Sequence, residues 1–440
     1  MPITYWAPNQ ATIKQVETYT FTAPSSIGNT YNAAINGKTV TYTSVSGDTA
    51  TTVATGLYTL LTNTESRPSE LAEISFTNDS AGVIVATAQT AGVPFANVPS
   101  TSAGLVLSTE NGLANGIATV HTVANKSPSD VNDSQNWLRV IAPAPGVRSL
   151  PQNGDDVIVS GTGVPMLWNL DQLAAVQFNT YTRWQSMTGE IGLPANNPGG
   201  YAEWRATYFK FSGPQGSVPA GGLAMILGQG QGQGPGREHY NVGSQPCTLT
   251  ILAAGQAVDK YGVRFLGVHT ANTFTILGGV SLAVAMQAGE TANLSSCSAD
   301  GGATIGIGPG VTWTAASTLT MFGGAVTLHA APATLTLNNG AQATVEKDAL
   351  TWATVTQRGG SVVNFLAGGT ITTHTMETGS SLDKSEDLRA LTITNSTIDG
   401  DTCFYNDPLN TITYTNATSV KQQVASGPFR FTGTKTVKVT

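Results

Sequence analysis

Thr248-Leu-Thr-Ile-Leu252 decides the fold of this chain, because it alternates threonine with aliphatic residues. A period of two is that of a β-strand, whose successive side chains point to opposite faces of a sheet. The same alternation recurs toward the C-terminus in four further segments: Thr273-Phe-Thr-Ile-Leu277, Thr318-Leu-Thr-Met-Phe322, Ala333-Thr-Leu-Thr-Leu337 and Leu391-Thr-Ile-Thr394. No stretch of comparable length in this half has the period of an amphipathic helix. The C-terminal half is therefore predicted to consist of strands.

Turn signals separate these strands at intervals of roughly 16–23 residues. They are the pairs Gly278-Gly279, Gly301-Gly302, Gly323-Gly324, Asn339-Gly340 and Gly359-Gly360. Such a period is typical of a parallel β-helix (β-solenoid), in which each rung buries its apolar face only against its neighbours. The fold class is thus predicted to be mainly β, with a parallel β-helix. A β-sandwich or jelly roll is the alternative that fits the same alternation.

The composition of the 440-residue chain points to contacts with other proteins. Only 11% of the residues are charged, although 40% are hydrophobic. A surface of Thr, Ser and Asn suits faces that meet other subunits, since a monomer with so few charges has weak protection against association. The net charge of −7 and pI near 5.2 argue against nucleic acid as a partner, because no basic stripe is present to neutralise phosphates.

The cysteines, the N-terminal segment and the apolar runs indicate the compartment in which the protein folds. Cys247, Cys297 and Cys403 lie far apart without metal-ligand spacing, so we expect three buried thiols in a protein folded in a reducing cytosol. Met1 to Pro8 has neither the basic nor the apolar region of a secretory signal. No run of about 18 apolar residues occurs, so we expect no membrane span. No cofactor and no metal are predicted.

Residues 1–10 read as an extended arm, in which Trp6 and Pro8 are available to dock on a neighbour or on the first domain. Residues 11–98 read as one small α+β domain in the order β-β-β-α-β-β. Its signals are a strand, a hairpin at an Asn-Gly turn, a helix capped by Asp48 or Thr49, and two further strands. These segments are Gln15 to Phe21, Tyr31 to Ser44 around Asn36-Gly37, Ala50 to Leu61, Ala72 to Thr77 and Val83 to Ala88.

Three blocks of this segment are Ile35-Asn-Gly-Lys-Thr-Val-Thr-Tyr-Thr43, Gly47-Asp-Thr-Ala-Thr-Thr-Val-Ala-Thr-Gly-Leu57 and Ala91-Gly-Val-Pro-Phe95. In this order they resemble a small domain often found in proteins of tailed bacteriophages. The resemblance covers some 85 residues and implies a context, that of a phage particle. It implies no catalytic residue, because the domain is a module without its own chemistry.

Residues 99–135 read as a linker with one strand candidate at Ile117 to Val123. Asn136-Trp137, followed by Pro151-Gln-Asn-Gly-Asp-Asp-Val-Ile-Val159, resembles the first rung of bacterial and phage β-helix proteins. Trp137 is then expected to plug the open end of the apolar stack. Asp155 and Asp156 are expected to bind nearby backbone amides, since the carboxylates that would complete a calcium shell are not close in sequence.

Residues 136–245 are predicted to hold the first rungs with aromatic-rich insertions, and residues 246–440 the remaining rungs and a C-terminal cap. The aromatic residues of segment 168–209 fit a carbohydrate-stacking surface, a core closed by inserted loops, or a subunit contact. They are Trp168, Phe178, Tyr181, Trp184, Tyr201, Trp204, Tyr208 and Phe209. Gly228 to Gly236 alternates Gly and Gln without a Gly-Lys-Ser/Thr ending, which favours close backbone approach over nucleotide binding.

The sequence offers acidic residues but no catalytic site. The five histidines, His121, His239, His269, His329 and His374, lie in no metalloprotease or serine-hydrolase motif. Cleavage of a polysaccharide needs two carboxylates at a groove. The acidic candidates are Asp259, Glu290, Asp300, Glu346, Asp348, Glu377, Asp383, Glu386 and Asp387, and most lie at predicted turns where solvation explains them. The chain is therefore not predicted to be an enzyme.

These observations and resemblances lead to one expectation and one alternative. We expect a structural virion protein of a tailed phage, a capsid decoration, cement or head-spike protein that binds the major capsid protein and forms a homotrimer. It would be assembled in the bacterial cytoplasm. The alternative is a tailspike or tail fibre that binds a host-surface glycan, with or without degrading it. Degradation would require Glu346 or Asp348 to be paired with a second carboxylate about 5–10 Å away.

Overall fold

The computed structural model describes the chain in segments. They are residues 2–24, 26–95, 126–194, 205–212, 222–254, 260–399, 403–409 and 411–416, together with the backbone of short strands at 109–110, 113–114, 117–123, 418–421, 430–431 and 437–439. Two hydrophobic cores are present, one in a small N-terminal domain and one along a parallel β-solenoid. The solenoid runs for about ten turns between residues 156 and 414. The predicted fold class is confirmed.

The small domain has a four-stranded sheet of order β5-β6-β2-β9, a separate hairpin β3-β4 and one α-helix. Its strands are β2 Val16–Phe21, β3 Thr30–Ile35, β4 Lys38–Thr43, β5 Ile74–Asn78, β6 Val83–Ala88, the two-residue pair β7 Thr109–Glu110 and β8 Leu113–Ala114, and β9 Ile117–Val123. The helices are α1 Ala50–Thr62 and a 3-10 turn at Ser69–Glu73. The predicted element order is confirmed, and the strand expected within residues 99–135 completes this sheet by pairing with β2.

Local sequence explains why these elements begin and turn where they do. Thr49 is the N-cap of α1, and Thr49 and Thr52 each bond the other's backbone in a capping box. The hairpin turns at Asn36 and Gly37, whose φ angles of 51° and 74° lie in the left-handed region that this turn requires. Val53, Leu57 and Leu61 present one buried face of α1 to the sheet.

The solenoid consists of two stacks of strands that alternate along the chain. The long sheet holds β1 Ile3–Trp6, β10 Trp137–Val140, β11 Val147–Arg148, β12 Asp156–Val159, β13 Thr180–Trp184, β15 Leu223–Gln229, β17 Cys247–Ile251, β19 Thr273–Ile276, β21 Ala292–Asp300, β23 Val311–Phe322, β25 Thr334–Asn338, β27 Leu350–Gln357, β29 Gly369–Glu377, β31 Leu391–Asp399, β33 Ile412–Tyr414, β34 Thr418–Lys421 and β36 Val437–Val439. From β12 onward its neighbouring strands pair in parallel.

The second sheet stacks the strands that lie between those of the long sheet in sequence. They are β14 Phe209–Lys210, β16 Glu238–Asn241, β18 Val263–Leu266, β20 Ser281–Val284, β22 Thr304–Ile307, β24 Ala325–Leu328, β26 Gln342–Val345, β28 Val362–Phe365, β30 Ser381–Asp383, β32 Phe404–Asn406 and β35 Arg430–Phe431. A 3-10 turn at Ser134–Asn136 precedes β10. Because consecutive strands join alternate sheets and pair in parallel with the next rung, the β-sandwich alternative is wrong.

The first strand of the chain closes the lower end of the solenoid. β1 pairs in parallel with β12 and antiparallel with β10. Trp6 is buried against Trp137, with ring centroids 4.9 Å apart, and the indole of Trp137 donates to the carbonyl of Val131. The expectation that Trp137 plugs the stack is confirmed. The N-terminal arm docks on the solenoid itself. Neither of the partners expected for Trp6, a neighbouring protein or the chain's own first domain, is the one observed.

The predicted glycine turns lead from the long sheet into the second sheet, and each of the five contains at least one glycine with positive φ. Gly324 and Gly340 have nearly the same φ, 74° and 75°, but different surroundings. A Cβ on Gly324 would lie 2.2 Å from the carbonyl oxygen of Ala303 in the rung below, whereas a Cβ on Gly340 meets nothing within 4 Å. Gly324 is thus required by stacking as well as by backbone angle.

We expect Gly324→Ala to destabilise the solenoid more than Gly340→Ala. Both substitutions incur the left-handed backbone cost, about 1 kcal/mol, and only Gly324→Ala adds overpacking of about 1–3 kcal/mol. Denaturant midpoints of the two variants and the wild type measure the difference. Equal midpoints for both variants would contradict this expectation, because they would show that the rungs move apart at Gly324 at little cost in stability.

Candidate functional site

The outer side of the long sheet carries two columns of short hydroxyl side chains, which we call the Thr/Ser face. Strand register aligns the first column as Thr180, Thr248, Thr273, Ser296, Thr318, Thr334, Thr354 and Thr373. It aligns the second as Thr182, Thr250, Thr275, Ser298, Thr320, Thr336, Thr356, Thr375 and Thr397. Each of these residues is exposed or half-buried.

The two columns are interrupted in only a few rungs. Strand β15 places Ala224 and Ile226 in them, and β31 places Asn395 in the first. At the lower end Asp156 accepts hydrogen bonds from Asn179 and from the hydroxyl of Thr180. Asp156 lies below these strands, and from β13 to β31 the two columns contain no charged side chain.

The second sheet does not repeat this pattern on its own outer side. Its outward pairs differ from rung to rung: Ser281 and Ala283, Thr304 and Gly306, Ala325 and Thr327, Gln342 and Thr344, Val362 and Asn364, with Arg264 in register with Ala283. The preference of threonine for strands applies equally to both sheets. Strand propensity alone therefore does not account for the Thr/Ser face.

A third column borders the Thr/Ser face, one residue beyond the last inward position of each strand, and we call it the edge column. In its lower part it exposes large apolar side chains: Trp184, Leu252, Leu277 and Phe322 are 37%, 39%, 39% and 41% exposed. Asp300 interrupts this part, and its carboxylate accepts from the amide of Gly301. In its upper part the column is charged, because Arg358 and Glu377 form an ion pair at 2.9 Å.

The acidic residues proposed for the glycan-cleaving alternative do not form an acid–base pair. Asp348 and Asp387 both bind the guanidinium of Arg389. The amide of Gly368 and that guanidinium lower the pKa of Asp348. Partial burial works to raise the pKa of Asp387, yet hydrogen bonds from Lys384 and Arg389 lower it to about 2. A general acid for glycoside hydrolysis needs a raised pKa, so neither carboxyl is suited to that role in this arrangement.

Most of the other acidic candidates have local partners. Glu346 pairs with His329 at 3.1 Å, and Glu290 accepts from the hydroxyl of Tyr208. Asp383 accepts from the amide of Ser385 and from Asn406. Glu386 is exposed, and Asp259 lies outside the described residues. Among the residues that the structure describes, no group of three His, Cys, Asp or Glu is placed to hold a metal ion.

The aromatic segment 168–209 divides between core and surface. Phe178, Tyr181 and Phe209 are buried in the solenoid core, which confirms the core interpretation for them. Trp168 is half-buried beneath the guanidinium of Arg205, 5.2 Å from the ring centroid, and Trp184 belongs to the edge column. Tyr201 and Trp204 lie outside the described residues.

Two sequence expectations about the first rungs can be checked directly. Asp155 accepts from the amide of Gln152, as expected, but also from Thr4 and from two guanidinium nitrogens of Arg139. Asp156 accepts from the side chains of Asn179 and Thr180 and not from the expected backbone amides. The Gly-Gln loop approaches the chain's own backbone, since a Cβ on Gly232 would lie 2.4 Å from the carbonyl oxygen of Gln185. Both features are therefore explained by contacts within the chain.

Sequence reasoning missed a fully buried ion pair inside the first rungs. Arg183 binds Glu238 through two nitrogens, and both side chains are 0% exposed. Arg183 also donates to the carbonyl of Ala253 at 3.0 Å, and Glu238 accepts from the hydroxyl of Tyr240 at 3.0 Å. A pair so enclosed is not accessible to a partner, so we assign it a structural role.

We expect Arg183→Met to cost about 3–5 kcal/mol of unfolding free energy, because it leaves the Glu238 carboxylate buried without its cation. The double variant Arg183→Met/Glu238→Leu removes both charges and should recover most of that loss. Chemical denaturation of the wild type, the single variant and the double variant tests this. A double variant no more stable than Arg183→Met would contradict the expectation.

A second buried polar network lies in the upper rungs. Nε2 of His374 donates to the side-chain oxygen of Gln357 at 2.8 Å, and Nδ1 accepts from the hydroxyl of Tyr405 at 2.9 Å. The Tyr405 hydroxyl in turn accepts from Ser396 at 2.8 Å. This arrangement holds His374 as a neutral imidazole, and burial lowers its pKa to about 3. His374 thus has a structural role in the core of the upper rungs.

We expect the solenoid to lose stability as pH falls from about 6.5 toward 3. Below the ordinary pKa of 6.5 the unfolded chain takes up a proton at His374 that the folded chain refuses, which costs about 1.4 kcal/mol per pH unit. His374→Gln should show a shallower decline between pH 6 and 4 in denaturation experiments. An unchanged slope in His374→Gln would refute the assignment.

The three cysteines are free and buried, as expected, and burial raises the pKa of the Cys297 thiol to about 12. Among the described residues no helix has the length and apolar character needed to cross a membrane. Comparison of the chain with protein-family models, with curated proteins and with solved structures gives no match. The candidate functional site therefore rests on the Thr/Ser face and its edge column alone.

Proposed function

We propose that this chain is a structural protein of a tailed-phage particle, a capsid decoration, cement or head-spike protein. In this proposal the small domain attaches to the capsid, and copies of the solenoid stand side by side on its surface. The division into a small domain with its own core and a solenoid of about ten turns is the observation that carries the proposal. It suits a protein in which one part binds and the other projects.

Two further features support this proposal. The sequence of the small domain resembles a module of tailed-phage proteins in three blocks, residues 35–43, 47–57 and 91–95. The long uncharged Thr/Ser face suits a protein that functions through contact with other proteins. The glycan-degrading tailspike is supported less, because the clustered carboxylates Asp348 and Asp387 share one guanidinium and have lowered pKa values.

We expect the purified protein to bind capsids that lack it at many icosahedrally related positions, read by electron microscopy. Capsids that already carry the protein are the control and should take up none. Binding at the tail alone would favour the receptor-binding alternative, and absence of binding to any particle would overturn the proposal. For the alternative, a host-polysaccharide cleavage assay with Asp348→Asn as the matched variant is decisive.

A further inference from the structure

The size of the Thr/Ser face matches what a stable protein interface needs. Ten strands of the long sheet, β13 to β31, are stacked along it. At about 4.8 Å per rung, with three columns about 6.6 Å apart, the face with its edge column measures roughly 45 by 15 Å, or about 700 Å². A standard interface buries about 800 Å² on each partner.

The side chains of the two columns are suited to burial against another chain. Threonine has a β-branched side chain with a stiff first torsion, so it loses little conformational entropy when covered. The columns carry no charge that a partner would have to neutralise. Threonine and serine seldom dominate binding energy, however, so we assign the affinity to the exposed apolar residues of the edge column, above all Phe322 and Leu277.

The edge column also fixes the direction of the partner if that partner is a second copy. Its lower part is apolar around Leu252 and Leu277, and its upper part holds the Arg358–Glu377 ion pair. An antiparallel copy would press the ion pair of one chain against the apolar part of the other and bury charge without compensation. In a parallel pair the two-fold axis runs along the solenoid, so the edge column of each copy lies against the first hydroxyl column of the other. The ion pair then meets Thr354 and Thr373, and Asp300 meets Ser296, so neither charge is pressed against an apolar side chain.

We propose that the Thr/Ser face and its edge column form the surface through which copies of this chain pack side by side with their solenoids parallel. This inference rests on the proposed self-assembly of the chain and not on its attachment to a phage particle. It names the surface and the relative direction of the copies. A second copy in register along the solenoid satisfies both the area and the distribution of charge.

The first test introduces charge on the face of the full-length chain. Thr320→Arg/Thr336→Arg brings like charges together between copies and is expected to weaken association about a hundredfold or more, read by sedimentation velocity over a concentration series. Thr327→Arg/Thr344→Arg, at half-buried positions in register on the outer side of the second sheet, is the matched control and should associate as the wild type does. Phe322→Ala should weaken association about tenfold without adding charge.

The second test reads the direction of packing by cross-linking. Variants with one added cysteine, at Thr250, Thr320 or Thr375, are treated with a short bismaleimide, and the native cysteines do not interfere because all three are buried. Parallel packing gives cross-links between like variants and none between Thr250→Cys and Thr375→Cys chains in a mixture. A cross-link between those two chains would overturn the parallel arrangement.

Three outcomes would refute self-association through this face. One is a wild-type monomer at every concentration, and another is an oligomer that survives both Thr320→Arg/Thr336→Arg and Phe322→Ala. The third is a wild-type monomer that binds particles and loses this binding in Thr320→Arg/Thr336→Arg. That result would mean that the face binds another virion protein. Failure of particle binding by an intact, parallel oligomer would instead contradict only the proposed attachment.

Discussion

The parallel backbone ladder between rungs is the constraint on which the rest of this molecule depends. Each strand of the long sheet bonds to the strand one turn before and one turn after it, and the register is kept from β17 through β29 with local shifts inside β21 and β23. Because side chains alternate, this register converts a repeated Thr-x-Thr pattern into two outer hydroxyl columns and one inner apolar column. The core and the Thr/Ser face are thus consequences of the same alignment.

The solenoid was predictable from sequence because its signals are local and repeat. The alternation in Thr248 to Leu252 and the turns at Gly323-Gly324 and Asn339-Gly340 each specify structure within a few residues. The role of Trp137 followed from a resemblance and a simple physical need to close an apolar end. The docking of Ile3–Trp6 beside β12 was not predictable, because it joins strands some 150 residues apart and no local pattern records that pairing.

The buried polar groups mark the limit of sequence reasoning more sharply. Arg183 lies in the same inner column as Leu227, Ile251 and Ile276, so alignment of the rungs exposes it as a charge at an apolar position. To align the rungs from sequence, one must first identify and omit the loops of unequal length that lie between them. Its partner Glu238 lies in the second sheet, and only three-dimensional stacking brings the two together.

The path of the chain at the lower end of the solenoid has a mechanical consequence. The chain starts in the solenoid, leaves it to build the small domain, and returns through residues 126–136. The outgoing and returning segments are joined where Ile13 and Lys126 exchange backbone hydrogen bonds, and Gln10 bonds Asp133 nearby. A domain held by one strand swivels freely, whereas one held by two cross-bonded strands resists torsion. A twisting force applied to the upper end of the solenoid is therefore transmitted to the small domain as torque, in addition to any tension.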